Sequence, residues 1–264
     1  MFDPRPLVDI ATAIGREAGA LVQRMRASAV VSFDTKSTST DVVTEADRAS
    51  EQLVRTRLSE LRPGEPVLGE EEGGTVVEGL TWVVDPIDGT VNYLYGIPWY
   101  SVSIAAQLDG ESVAGAVVEP ATGRVWTAAR GHGAFLDGEP LQVSATTDLP
   151  LSLLGYGFAY RAERRQRQAE AWAAMATRVR DMRRAGAASL DLCSVAAGRL
   201  DAYAEHGLGR WDWAAGALVA AEAGAVVRLP GSSPELGEDA TFAAAPGIAG
   251  AMHDALVESG FGKV

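Results

Sequence analysis

The segment Trp82-Val83-Val84-Asp85-Pro86-Ile87-Asp88-Gly89-Thr90 constrains this chain more than any other part of it. Residues 80–84 form an apolar, partly β-branched run of the kind that makes a buried strand, and the run stops at Asp85. Two carboxylates, three residues apart, are thereby delivered at the carboxyl end of a strand. Pro86 stiffens the turn between them, so that both can point into one pocket. Gly89 lets the backbone turn tightly, and Thr90 opens a segment able to present N–H groups to an anion. Hard oxygen donors in this arrangement suit magnesium.

Two further acidic positions belong with this pair. Glu70, in Gly69-Glu70-Glu71-Glu72-Gly73-Gly74, follows a short strand candidate at residues 67–68, and a hairpin is expected to bring it beside Asp85. Downstream, Glu205 and Asp212 flank the segment His206-Gly207-Leu208-Gly209-Arg210-Trp211, with Asp212 at the start of an expected helix. Taken singly, Glu70 reads as a solvated acidic turn and Asp212 as a helix cap. Asp47 likewise completes a capping box with Thr44, a role that competes with a catalytic one.

The rest of the chain supplies a frame for these residues. Apolar positions Leu7, Ile10, Ala11, Ile14, Ala18, Leu21, Val22 and Met25 recur at helical spacing within residues 4–27. A polar stretch, residues 32–41, reads as a loop or mobile hairpin, and a second helix is expected from Thr44 to about Leu61. Residues 102–135 alternate as an antiparallel meander, with turns at Asp109-Gly110 and Thr122-Gly123 and a hairpin signal at Asp137-Gly138. After about residue 147 short apolar runs alternate with helical segments near 161–180, 189–199, 211–224 and 247–259, which argues for a second α/β unit.

A formal charge of −12 argues against a nucleic-acid partner held by bulk charge. It also means that a site for anionic esters needs bound cations to cancel the local field. Cys193 is the only cysteine, so no internal disulfide forms, and its apolar setting suits a core residue. No basic-then-apolar leader opens the sequence, and the longest apolar stretch, residues 214–227, is interrupted by Glu222. A cytoplasmic protein without a membrane segment is expected. Of the 23 basic residues only Lys36 and Lys263 are lysine. A lysine in the polar loop before Asp47 suggests a need for a compact ammonium there, with Asp41 as a possible companion.

The motifs DTKSTSTDVVTEADR, LGEEEG, WVVDPIDGTVNYLYGIPWYSVSIA, RVWTAARGHGAFLDG and RRAGAASLDLCSVAAGRLDAYAE followed by RWDWAAGALVAAEAGA run through nearly the whole chain. In this order they resemble the inositol monophosphatase family. Haloacid-dehalogenase-type phosphatases also carry an Asp…Asp-Gly-Thr signature. Their aspartates are two apart and usually near the chain start, whereas Asp85 and Asp88 are three apart and mid-chain.

The resemblance implies a mixed α/β fold, the layered αβαβα sandwich of the inositol monophosphatase and fructose-1,6-bisphosphatase type. Its N-terminal half would span residues 1–146 and its C-terminal half, with Glu205 and Asp212, residues 147–264. It implies two to three Mg2+ ions per site. Glu70, Asp85 and the Ile87 carbonyl would hold the first, and Asp85, Asp88 and Asp212 the second, with a weaker third at Glu70. Glu70, Thr90 and Asp47 would activate water, and the Gly89 and Thr90 backbone would grip phosphate. Asp88, Glu205 and the Gly186, Ala187 and Ala188 backbone would face the alcohol portion. Here the sequence reads Gly186-Ala187-Ala188-Ser189 where the family more commonly has Gly-Ser-Ala-Ala.

Hydrolysis of inositol-1-phosphate is the leading expectation. Fructose-1,6-bisphosphate, histidinol phosphate and 3′-phosphoadenosine 5′-phosphate are alternative substrates for the same core. Lithium sensitivity and a homodimer are expected from the resemblance. A different class of role, binding within a transcription complex, is also known among bacterial members of this family.

Overall fold

The computed structural model describes residues 2–28, 33–36 and 42–264, so Asp41 lies outside the described residues. The chain opens with helix α1 (Arg5–Ser28), a small antiparallel pair β1 (Phe33–Thr35) and β2 (Val42–Thr44), and helix α2 (Glu45–Leu61). Strands β3 (Val67–Gly69) and β4 (Leu80–Asp88) lead to a short helix α3 (Thr90–Tyr95). A meander follows: β5 (Ser101–Leu108), β6 (Glu111–Val118), β7 (Val125–Ala129), β8 (Ala134–Leu136) and β9 (Glu139–Pro140). Strands β3 to β9 form one seven-stranded sheet in sequential order.

The later part comprises β10 (Leu153–Tyr156), α4 (Ala162–Met175), β11 (Asp181–Arg183), α5 (Ala188–Ala196) and β12 (Ala202–His206). It ends with α6 (Arg210–Glu222), β13 (Val226–Arg228), β14 (Ala240–Ala244) and α7 (Ala249–Glu258). Its five strands form a second sheet in the order β11-β10-β12-β14-β13.

Three hydrophobic cores define five layers. Leu7, Ala11, Ile14, Ala18 and Val22 of α1, with Val54 and Leu58 of α2, cover one face of the large sheet. Its other face, including Val83, Val117 and Trp126, packs on α5 and α6, which also meet Tyr203 and Ala243 of the small sheet. Trp172 of α4 and Met252 and Leu256 of α7 close the outer face of that small sheet. The order is therefore helix, sheet, helix, sheet, helix, because each sheet buries both faces and each outer helix pair buries only one.

Three expectations are corrected. Glu70 does not reach Asp85 through a hairpin: β3 and β4 pair in parallel, with Gly69 opposite Val84, because residues 74–79 carry the chain back before β4 begins. The strand does not stop at Asp85 but runs to Asp88, with a register shift between those two residues at Pro86, which has no N–H to give the ladder. The helix expected to residue 180 ends at Met175, and the polar segment Asp181–Arg183 is an edge strand without an alternating apolar face.

Helices α5 and α6 approach closely at Gly216, where a Cβ would lie 2.9 Å from the Ser189 carbonyl oxygen and 3.0 Å from the Leu192 Cβ. Replacing a helix-interior glycine by alanine ordinarily stabilises by up to about 1 kcal/mol. Here the contact reverses the sign. Gly216→Ala is expected to destabilise by about 1–3 kcal/mol in urea denaturation, the usual range for overpacking.

Candidate active site

Strand β4 organises the site through its alternation. Trp82 and Val84 face the outer helices and Val83 faces α5 and α6, so Asp85 falls on the Val83 side, toward the first turn of α6. That turn contains Asp212. One carboxylate oxygen from each of Asp85, Asp88 and Asp212 lies within 4.8 Å of the others, a grouping able to hold a metal ion. The parallel register sets Glu70 alongside, its N–H donating to the Val84 carbonyl at 3.2 Å. A cavity of about 680 Å³ opens over Glu70, Asp85, Asp88, Thr90, Glu205 and Asp212.

Each acid has a different set of partners. Asp85 is buried; its Oδ1 accepts the Ile87 N–H at 3.0 Å, while its carboxyl group meets that of Glu70 and its Oδ2 receives no N–H or hydroxyl donor among the described residues. Burial pushes its pKa well up, and the neighbouring Glu70, Asp88 and Asp212 push it further. Burial likewise raises Asp212, with Glu70 and Asp88 adding to it, against a 2.5 Å hydrogen bond from the Gly209 N–H. Glu70 is raised by burial against the pull of Lys36, whose ammonium bonds Glu70 at 2.8 Å and Glu71 at 2.6 Å. Burial works against the Lys36 charge, but these two carboxylates raise its pKa overall.

The donors present are hard, anionic oxygens, and one buried oxygen among them receives no N–H or hydroxyl donor among the described residues. The set fits a divalent cation, which would replace mutual repulsion by attraction.

Asp88 performs a second task across the fold. Its carboxylate accepts the Ala188 N–H at 3.1 Å, the Ser189 N–H at 2.7 Å and the Ser189 hydroxyl at 2.5 Å. It therefore caps α5 from one hundred residues away, a service that the helix's own Ala187 cannot give. Burial raises Asp88, while these donors and Arg184 lower it. The serine displaced from its commoner place thus serves the aspartate directly. Its Oγ also lies 2.7 Å from the Ser101 Oγ.

Asp47 caps its helix and also reaches Thr90. Oδ2 accepts from the Thr44 N–H at 2.8 Å and the Thr44 hydroxyl at 2.5 Å, which caps α2. Oδ1 accepts from the Thr90 hydroxyl at 3.0 Å. That hydroxyl also lies 2.9 Å from the Ile87 carbonyl and has one proton for two acceptors. Gly89 takes φ 89°, and a Cβ there would lie 3.1 Å from the Trp99 carbonyl oxygen and 3.2 Å from the Ala187 Cβ.

Gly186 and Ala188 line the cavity, but Ala187 is packed in the core. Glu205, at the end of β12, accepts the Tyr203 hydroxyl at 2.5 Å and is pushed up to about 7 by burial. Arg184 lines the same wall and opposes that rise. Asp191, buried on α5, is raised by burial and by Glu205 and Asp88. His206 also lines the cavity, its Nε2 2.7 Å from the Leu236 carbonyl oxygen. Arg184, Ser189 and Asp191 escaped the sequence reasoning. The tract Arg183-Arg184-Ala185-Gly186-Ala187-Ala188-Ser189-Leu190-Asp191 held the only signal, an unusual density of polar groups ahead of an apolar helix.

Two outcomes follow from these contacts. Ser189→Ala removes a hydrogen bond to a charged group and is expected to cost about 1.5–3 kcal/mol in denaturant unfolding; Ser101→Ala, losing a neutral partner, costs about 1 kcal/mol. Asp47, pushed up to about 6 chiefly by burial, and Glu205, at about 7, are both raised above their unfolded values of 3.8 and 4.5. Raised acids stabilise the fold at low pH and lose that contribution as pH climbs through their folded values. The Tm of metal-free protein is expected to fall between about pH 4 and pH 7, and Glu205→Gln to flatten the upper part of that fall.

A model described as the inositol monophosphatase family matches residues 3–259. The inositol-1-monophosphatase of Mycobacterium leprae is 52% identical, over 96% of this chain and 94% of that protein. The solved structure of Mycobacterium tuberculosis SuhB is 46% identical, with a TM-score of 0.84 and 98% of each chain covered. A Pseudomonas aeruginosa protein named Nus factor SuhB is 40% identical, over 84% of this chain and 85% of that one. With this sequence match, this fold and this acidic cleft, the chain belongs to the inositol monophosphatase family of metal-dependent phosphatases.

Proposed function

We propose that this phosphatase hydrolyses inositol-1-phosphate to myo-inositol and phosphate, with magnesium as its cation and water attacking in line without a covalent enzyme intermediate. The observation that carries the proposal is the buried Oδ2 of Asp85, which receives no N–H or hydroxyl donor among the described residues and is set among the carboxylates of Asp88, Asp212 and Glu70. Asp85 would be shared between two ions, the first also held by Glu70 and the Ile87 carbonyl and the second by Asp88 and Asp212. A third, weaker ion would lean on Glu70. Magnesium bound there supplies Lewis acidity toward water and ester and cancels the negative charge of the cleft.

The chain's own groups do the remaining work. The Thr90 hydroxyl would direct its hydrogen bond to Asp47, keeping its proton, and leave the Ile87 carbonyl available as a ligand. The hydroxyl's lone pairs are then left to accept from the attacking water and orient it. Glu70 would take the proton that water releases. The N–H groups of Gly89 and Thr90, at the turn into α3, hold the phosphate. Asp88, Glu205 and the backbone of Gly186 and Ala188 face the alcohol, and carboxylates there suit hydroxyl groups and repel a second phosphate. The 1–146 half supplies Asp47, Glu70, Asp85, Ile87, Asp88 and Thr90, and the 147–264 half supplies Glu205 and Asp212, so we place the reaction where the two meet.

A second reading has its own support: relatives named Nus factor SuhB, among them the Pseudomonas protein. This chain keeps every expected ligand, which favours catalysis over a binding role alone. The expected assembly is a homodimer in the cytoplasm. Among the described residues no helix is long and apolar enough to cross a membrane.

Phosphate release from inositol-1-phosphate, fructose-1,6-bisphosphate, histidinol phosphate and 3′-phosphoadenosine 5′-phosphate tests the substrate. Inositol-1-phosphate should be preferred, chelation should abolish turnover, magnesium should restore it, and lithium should inhibit it. Asp88→Asn should cut kcat/KM by about a hundredfold or more, since even a supporting group around a metal ligand is worth up to that. Preference for another ester moves the substrate and keeps the site. No release from any ester, with magnesium bound, points to the binding role.

A further inference from the structure

One face of α2 carries more polar structure than a cap requires. Asp47, Ser50 and Glu51 are all fully buried, at spacings that place them on one side of the helix. Asp47 reaches Thr90, and the Ser50 hydroxyl donates to the Pro86 carbonyl at 3.0 Å. Glu51 reaches the other acidic turn. Its Oε2 accepts the Glu71 N–H at 2.8 Å and its Oε1 the Glu72 N–H at 3.0 Å. Arg55, one turn on, pairs with Glu51 at 2.8 Å and donates to the Val67 carbonyl at 3.2 Å and the Gly73 carbonyl at 2.6 Å. Gly69 is part of the same fit, because a Cβ there would run into the Glu51 carboxylate.

A fully buried carboxylate is expensive unless both oxygens are satisfied. Glu51 meets that condition only by binding the backbone of the acidic turn, with Arg55 as its counter-charge. The turn is then held from two sides, by the Glu70 N–H on β4 and by the next two N–H groups on Glu51. We propose that Glu51, backed by Arg55, is a positioning residue that sets the cation affinity of the site by fixing the Glu70–Glu72 backbone against β4. The proposal rests on Glu70 being a cation ligand. Side-chain contacts of α2 thus register both ligand-bearing turns, one through Pro86 and Thr90 and the other through Glu51.

Glu51→Gln keeps the shape but replaces one acceptor oxygen by an NH2 group. In either amide orientation at least one turn N–H then faces a donor. Calorimetric titration of the full chain with Mg2+ alone, without substrate, reads the effect directly. The Kd of Glu51→Gln should rise by about tenfold or more, as for other groups that orient metal ligands. The KM for inositol-1-phosphate at saturating Mg2+ should stay within about twofold of wild type, since Glu51 does not line the cavity.

A wild-type Mg2+ Kd in folded Glu51→Gln overturns the proposal, even if that variant melts earlier, because the residue would then be structural only. Should Glu51→Gln fail to fold, Arg55→Lys decides: it keeps the charge but cannot span both carbonyls, so a raised Kd supports the strap and an unchanged one overturns it. Glu70→Gln separates the two levels. If it weakens Mg2+ binding while Glu51→Gln does not, only the positioning role falls. If Glu70→Gln binds like wild type, the ligand assignment falls and takes the positioning role with it.

Discussion

The rest of this structure is arranged around the mutual repulsion of buried carboxylates. Asp85, Asp88, Asp212 and Glu70 crowd one end of β4; burial raises the pKa values of all four, and the neighbouring carboxylates raise Asp85 and Asp212 further. Such a cluster stays ionised and compact only when cations or directed hydrogen bonds offset the repulsion. The hydrogen bonds are supplied unevenly: three to Asp88, one to Asp212, and one to a single oxygen of Asp85. What they leave unsatisfied is a set of carboxylate oxygens able to hold a cation.

The hydrophobic layers make that crowding geometrically enforceable. Helices α5 and α6 share one core with both sheets, so the start of α6 cannot move away from β4 without opening it. Asp88 gains its partners from the first turn of α5, and Asp212 sits in the first turn of α6. Helix starts also place positive partial charge near the acids, which favours their ionised forms. Packing and electrostatics are therefore set by the same two helices, and a change such as Gly216→Ala tests both together.

Legibility followed the range of each interaction. The Asp85-Pro86-Ile87-Asp88-Gly89-Thr90 segment, the Thr44 and Asp47 box and the Asp-Gly hairpins are local, and the structure has each in place. The parallel pairing of β3 with β4 was not legible, because nothing in residues 74–79 says where the chain returns. Nor was Ser189, read only as a departure in a motif, which proves to bond Asp88. Glu51 looks in the sequence like any helical glutamate; its role depends on a turn twenty residues on. Asp47 was legible as a cap and as a candidate site residue, and its two oxygens point at different partners, one at Thr44 and one at Thr90.

The sequence by itself determined which acidic side chains are available as candidate ligands and the kind of chemistry they allow. Acidic residues at a strand end, a glycine turn and a helix-opening aspartate are chemical facts of the chain, independent of how distant segments meet. The layered order was expected only through the resemblance of its motifs to the family, and the three cores have that order. Tertiary structure alone decided which oxygens remain free for a cation, which are consumed in capping, and which buried residues hold the ligand turns. Those outcomes depend on contacts between segments up to about a hundred positions apart, as between Asp88 and Ser189. Their geometry exists only once three cores have closed around them.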